Sequence, residues 1–113
     1  MVNKLLLPQE IETFYIIPAL RRQIARFLKE RGMKQKDIAT ILMVNTAAIS
    51  QYANDKRGHN VHFKENILQE IKNSTDTITN QFTYLKETQR LLQVIRLTNT
   101  LCDIHKHFSF VPN

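Results

Sequence analysis

The stretch Gln35-Lys36-Asp37-Ile38-Ala39-Thr40-Ile41-Leu42-Met43-Val44-Asn45-Thr46-Ala47-Ala48-Ile49-Ser50-Gln51-Tyr52-Ala53-Asn54 decides how the chain is read. From Lys34 to Leu42 the apolar residues Ile38, Ala39, Ile41 and Leu42 fall on one side of a short helix. Met43-Val44-Asn45 breaks that period, and Thr46 to Asn54 resumes it with Ile49 and Tyr52 inward. Asn45 or Thr46 can cap the second helix, because a short side-chain oxygen accepts one of the backbone N–H groups that a helix start leaves unpaired. Two short helices joined by about three residues have the spacing of a helix-turn-helix.

The helical pattern continues on both sides. Upstream, Leu20, Ile24, Phe27 and Leu28 recur at three- and four-residue spacing, predicting a helix from Pro18 to Arg31. Pro18 suits the first turn, where no backbone N–H is needed, and Gly32 suits the left-handed position just past the end. The proline also pushes Ile16 and Ile17 towards extended geometry. Residues Asn3 to Tyr15 read either as a short acidic helix opened by Pro8, Glu10 and Glu12 or as an ordered arm. Downstream, Asp55-Lys56-Arg57-Gly58 ends the second helix and His59 to His62 forms a polar connection. A further helix is predicted from Phe63 to Asn73, with Phe63, Ile67, Leu68 and Ile71 apolar, and Ser74-Thr75-Asp76 reads as a break and a new cap. From Asp76, Ile78, Phe82, Leu85, Leu92 and Ile95 follow a spacing near 3.5 through polar sequence, a long amphipathic helix. Residues 18–73 can close a small core alone, so this second stripe needs a partner of its own: it could fold back over that domain, but the spacing near 3.5 favours a facing helix, such as a two-fold mate. The organisation expected is therefore an arm or short helix over 1–17, a helix-turn-helix domain over 18–73 and a helical dimerisation region over 74–113.

Composition agrees with an all-α fold. The 113 residues suit one domain, and 42% hydrophobic with 23% charged residues excludes wholesale disorder. Two glycines and three prolines are too few for the turns of a β-sandwich. The lone Cys102 excludes a disulfide framework and a zinc cluster built from thiolates. No apolar run approaches the roughly 18 residues of a membrane span, and Pro8, Glu10 and Glu12 interrupt the leading apolar patch. A soluble, cytoplasmic protein is expected. The net charge of +6 is uneven: residues 1–57 carry ten Lys/Arg against five Asp/Glu, and residues 58–113 six against five. A basic excess gathered in one half is what a polyanion partner requires.

Gln35, Ala39, Val44, Ile49, Ser50 and Tyr52 together resemble the helix-turn-helix of lambda-repressor-like (Xre-type) DNA-binding domains. A closer resemblance, spanning residues 8–73 and more loosely 85–107, is to small archaeal predicted transcriptional regulators. It is carried by Glu10-Ile11-Glu12, Tyr15-Ile16-Ile17-Pro18-Ala19-Leu20-Arg21, Ala48-Ile49-Ser50-Gln51-Tyr52, Lys56-Arg57-Gly58 and Leu101-Cys102-Asp103-Ile104-His105-Lys106. The chain lacks the upstream Cys-x-x-Cys pair of that group and has Met43 where such turns usually place glycine. Met43 must then adopt positive φ, or the turn must differ. The resemblance implies a transcriptional regulator that binds double-stranded DNA.

The residue chemistry is compatible with that function. Ala39 must be small where the two helices cross, and Val44 and Ile49 seal the angle between them. Thr46, Ala47, Ser50, Gln51 and Asn54 face outward, short and uncharged, as base contacts in a major groove require. Gln35 at the start of its helix can reach a phosphate with side chain and backbone, beside Lys34 and Lys36, and Lys56 and Arg57 can grip the other strand. Arg21, Arg22 and Arg26 are either further DNA contacts or a solvated helix face. His59-x-x-His62 and Cys102-x-x-His105 could offer metal ligands, but a closed site needs distant pairs to converge, and none is expected. His107 adds a fourth histidine near the chain end. Cys102, Asp103 and His105 crowd one turn without the placed base a nucleophile needs, so no enzyme and no cofactor are expected. Glu10, Glu12, Glu65, Glu70 and Glu87 read as caps and solvated faces. The competing reading is a helical protein–protein interaction module, antitoxin-like or an adaptor, that uses the helix-turn-helix as scaffold.

Overall fold

The computed structural model describes residues 7–53 and 61–98. These are all-helical, with no strand among the described residues, in the order α1 (Pro8–Ile11), a π-helical turn (Glu12–Ile16), α2 (Ile17–Glu30), α3 (Gln35–Leu42), α4 (Thr46–Ala53), α5 (Glu65–Ser74) and α6 (Gln81–Leu97). No helix among them is long and apolar enough to cross a membrane.

The first departure from the sequence reading lies before Pro18. The chain is helical from Pro8 through Glu30, and Ile16 and Ile17 are right-handed helical rather than extended. A proline inside a helix clashes with the carbonyl four residues back and cannot donate to it. Here the helix widens just upstream, and the Ile17 N–H donates to the Glu12 carbonyl, five residues back. The widened turn carries the helix past the proline, so Pro18 stands in the first turn of α2, as expected, but does not begin the helical run. Pro8 begins that run, with the Leu7 N–H donating to the Glu10 carboxylate at 2.8 Å.

Two turns of one kind flank α3. After α2, the Met33 N–H donates to the Leu28 carbonyl and the Gly32 N–H to that of Lys29, with Gly32 at φ +94°. After α3, the Val44 N–H donates to Ala39 and the Met43 N–H to Thr40, with Met43 at φ 58° and ψ 42°. Both are left-handed caps that satisfy the last carbonyls of a helix. Glycine adopts that backbone freely, whereas a side chain costs about 1–2 kcal/mol there. Met43 takes the strained option of the two open to it.

α2 is the central element, packed against the π-helical turn, α3, α4 and α5, while α6 lies across α3 and α5. One cluster of buried side chains runs from Ile11 to Ile95 and includes Leu20, Ile24, Ile38, Leu42, Ile49, Ile67 and Ile71. Ile78, Leu92 and Ile95 belong to it, at no more than 3% exposure. They were expected to face a second copy and instead complete the core of this one. Only Phe82 (73% exposed) and Leu85 (49%) of that stripe remain outside. The cause is geometric. The helix begins at Gln81, capped by Asn80, whose Oδ1 accepts from the Thr83 N–H at 2.9 Å while the Asn80 N–H donates to Thr83 Oγ1. Ile78 therefore precedes the helix, and the cap is not in Ser74-Thr75-Asp76. At 3.6 residues per turn, Leu92 has drifted by about 80° from Phe82. Thr88 is buried on the same side of the helix, its hydroxyl donating to the Tyr84 carbonyl at 2.8 Å.

Ion pairs join the helices where the sequence suggested solvated carboxylates. Glu12, on the widened turn, accepts from Arg96 Nε at 2.7 Å and Nη2 at 2.8 Å. Arg90 bridges α5 and α6, donating to Glu70 and Glu87 at 3.1 Å each and to the Ser74 hydroxyl. The bond to Glu12 raises the Arg96 pKa. For Arg90, partial burial opposes the charge but the bonds to Glu70 and Glu87 outweigh it, and its pKa also rises.

Candidate nucleic-acid interface

α3 and α4 hold the candidate surface, and α2 fixes both from behind. Ile38, Ala39 and Leu42 of α3 and Ala48, Ile49 and Tyr52 of α4 are buried, and Val44 packs against them from the turn. Asn45, not Thr46, caps α4: its Oδ1 accepts from the Ala48 N–H at 2.8 Å. With the inner side of α4 consumed by the core, Thr46, Ala47 and Ser50 are exposed and Gln51 is half-buried. Asn54, Lys56 and Arg57 lie outside the described residues, so four of the five expected base contacts can be placed, and they share one outward side.

Gln35 has a different task from the one its position suggested. Its amide nitrogen donates to the Thr46 carbonyl at 3.1 Å and to Ser50 Oγ at 2.6 Å. The side chain thus braces the start of α3 against the exposed side of α4, and its N–H groups are not left for a phosphate. The Ser50 oxygen accepts from Gln35, so its own proton is free to donate to an acceptor in front of α4. No side chain caps the start of α3, so the first backbone N–H groups of that helix are open to an anion. Lys34 and Lys36 stand exposed beside them. Asp37, the acidic residue of this turn, lies about 200° around the helix from Gln35.

The arginines of α2 divide. Arg21 Nε donates to the Tyr84 hydroxyl at 3.3 Å and so binds α2 to α6. Arg26 pairs with Glu30 on the surface and sits over the Phe27 ring, 5.9 Å from its centre. Burial and the neighbouring Arg26 lower the pKa of Arg22. None of these observations directs the three towards the α4 surface.

His62 is exposed, and no group of three or more His, Cys, Asp or Glu side chains stands together among the described residues. His59, Cys102, His105 and His107 lie outside them. Sequence reasoning missed the Gln35 brace and the bond from Gln81 Nε2 to the Thr40 carbonyl at 2.9 Å, which ties the start of α6 to the end of α3. The brace had a local signal, since Gln35 and Ser50 were both singled out; the Gln81 bond had none. Comparison with protein-family models, with curated proteins and with solved structures returned no match to this chain.

Proposed function

We propose that the chain is a sequence-specific DNA-binding transcriptional regulator of the Xre type, acting in the cytoplasm and reading the major groove with α4. The fold assigned is the lambda-repressor-like helix-turn-helix. The observation that carries the reading is the outward side of α4. Thr46, Ala47, Ser50 and Gln51 are small or uncharged and lie on the side of α4 turned away from the core, held in register by the Gln35 bonds. A rigid helix with short hydrogen-bonding side chains fits between base edges, where charged or bulky ones would obstruct it. Lys34, Lys36 and the uncapped start of α3 supply backbone contacts that set the register without reading sequence. The +6 charge supplies the sequence-independent attraction. Two copies are needed on DNA, because one such module spans too few base pairs, and half-sites about 34 Å apart would accommodate them. The reading assigns the chain no catalytic step.

Selection of bound sequences from a pool of random duplexes tests it. A common motif should emerge, and Gln51→Ala should cost about 1–3 kcal/mol on that motif and much less on scrambled DNA, by pairing lost at an adenine edge. A pool that yields no enrichment removes the assignment. The interaction-module reading draws on one observation, the exposure of Phe82 and Leu85.

A further inference from the structure

Gln35 joins α3 to α4, and the bonds that do so leave two polar groups over. The orientation of its amide is fixed by the Thr46 carbonyl, which can only accept. Nε2 therefore faces that carbonyl at 3.1 Å and Ser50 Oγ at 2.6 Å. Both N–H groups are then spent, and the carbonyl oxygen Oε1 is what remains. Among the described residues no group donates to it, and the buried side-chain oxygen without a partner belongs to Gln23, so Gln35 Oε1 opens to solvent. Ser50 is exposed, and its oxygen already accepts from Gln35. The hydroxyls of Thr13, Thr40 and Thr88 donate to the carbonyl four residues back, at 2.9, 3.1 and 2.8 Å. For Ser50 that carbonyl is the one of Thr46, which Gln35 occupies, and among the described residues the Ser50 hydroxyl donates to no group.

We infer that Gln35 and Ser50 together read one adenine, the Ser50 hydroxyl donating to N7 and Gln35 Oε1 accepting from the 6-amino group. The inference rests on the DNA reading and gives it a specific base. Donor and acceptor stand side by side, because the amide that carries Oε1 is the one that holds Ser50. In the major groove adenine presents an acceptor beside a donor, and no other base does. Guanine presents N7 and O6, both acceptors, so O6 would meet Gln35 Oε1 with no proton between them. Thymine offers an acceptor and a methyl group, and cytosine a donor, and each leaves half of the pair unmatched. A serine hydroxyl that turns freely can donate or accept and so discriminates little. With Gln35 donating to its oxygen, the Ser50 proton must point elsewhere, towards the open side of α4. An outward carbonyl oxygen is repelled by a phosphate. The bonds that withdraw Gln35 from the DNA backbone therefore suit it to an amino group, and phosphate contact is left to Lys34 and Lys36.

Binding of the full chain to duplexes that carry adenine analogues tests it. The duplexes hold the motif selected from the random pool, with each adenine replaced in turn. 7-Deazaadenine removes the N7 acceptor, and unsubstituted purine removes the 6-amino group. At one adenine, each analogue should weaken binding about tenfold. Ser50→Ala should lose the response to 7-deazaadenine at that position, to within about twofold, and Gln35→Ala the response to the missing amino group. Comparing proteins on the same duplexes cancels any effect of an analogue on the duplex itself. An adenine read by Gln51 would keep both responses in these two variants, which separates the contacts. If Gln35 and Ser50 only brace α4, both variants bind more weakly while every response persists, and the inference is overturned. Circular dichroism shows whether Gln35→Ala folds. Should it not, Ser50→Ala still decides, because an exposed helical serine can become alanine without loss of helix. A pool that yields no motif defeats the proposed function. A motif without an adenine that behaves in this way overturns this inference and leaves the DNA reading standing.

Discussion

Helices α4 and α6 both pack one side into the same core, and what they turn outward is opposite. α4 presents Thr46, Ala47 and Ser50, small and uncharged, with Gln35 holding two of its groups in place. The start of α6 presents Phe82 and Leu85, which gain nothing from water. The first surface suits a partner that offers hydrogen bonds to short polar side chains, and the second suits one that offers apolar area. The two surfaces differ in chemistry and are fixed by one shared core.

The largest effect concerns that shared core. Ile24 of α2 is fully buried, and Ile24→Ala should cost about 2–5 kcal/mol. Urea denaturation followed by far-ultraviolet circular dichroism and by tyrosine fluorescence should give coincident transitions at the lower midpoint, because Tyr52 of α4 and Tyr84 of α6 are buried in one cluster. Separate transitions would mean that the two surfaces sit on independent units, and the comparison would fail.

The Glu12–Arg96 pair is next. Glu12→Gln keeps the size of the side chain and removes the charge, and should cost about 1.5–3 kcal/mol, as lost hydrogen bonds between charged groups do. Duplex affinity below the melting range should be unchanged, since the pair joins the widened turn to the far end of α6. A loss of DNA affinity in a folded Glu12→Gln protein would show that the two surfaces are not separable in this way.

The sharpest contrast uses one substitution. Ala47 is exposed in the first turn of α4, where a carboxylate favours the helix by about 0.3–1 kcal/mol. Ala47→Asp should therefore leave stability equal or higher while weakening duplex binding about tenfold or more through repulsion of phosphate. Equal binding by both proteins would remove α4 from the interface.

How much of this was legible in the sequence depends on how local the cause is. The α3–α4 pair was read from its apolar period, the cap at Asn45 was one of two alternatives, and the left-handed Gly32 followed from its place after a helix; all rest on neighbours within four residues. The stretch before Pro18 was misread because proline's local preference is overridden when an upstream turn widens. The stripe of Ile78, Leu92 and Ile95 was read as a surface because a spacing near 3.5 is compatible with a facing helix in the same chain as well as in another. Glu12 and Arg96 stand 84 positions apart, and no local pattern pairs them. Of the candidate site, the outward residues of α4 were legible from helical geometry, whereas the role of Gln35 depended on where α3 and α4 meet.

The salt dependence of duplex binding tests the central claim most directly. Fluorescence anisotropy of a labelled duplex, titrated with the full chain between 50 and 200 mM salt, should give a log–log slope of roughly −0.9 for each phosphate neutralised. Changing Lys34 and Lys36 to Ala should flatten that slope by roughly 1.8 and weaken binding to all duplexes alike. An affinity indifferent to salt, or no binding to any duplex at 50 mM, would contradict the account.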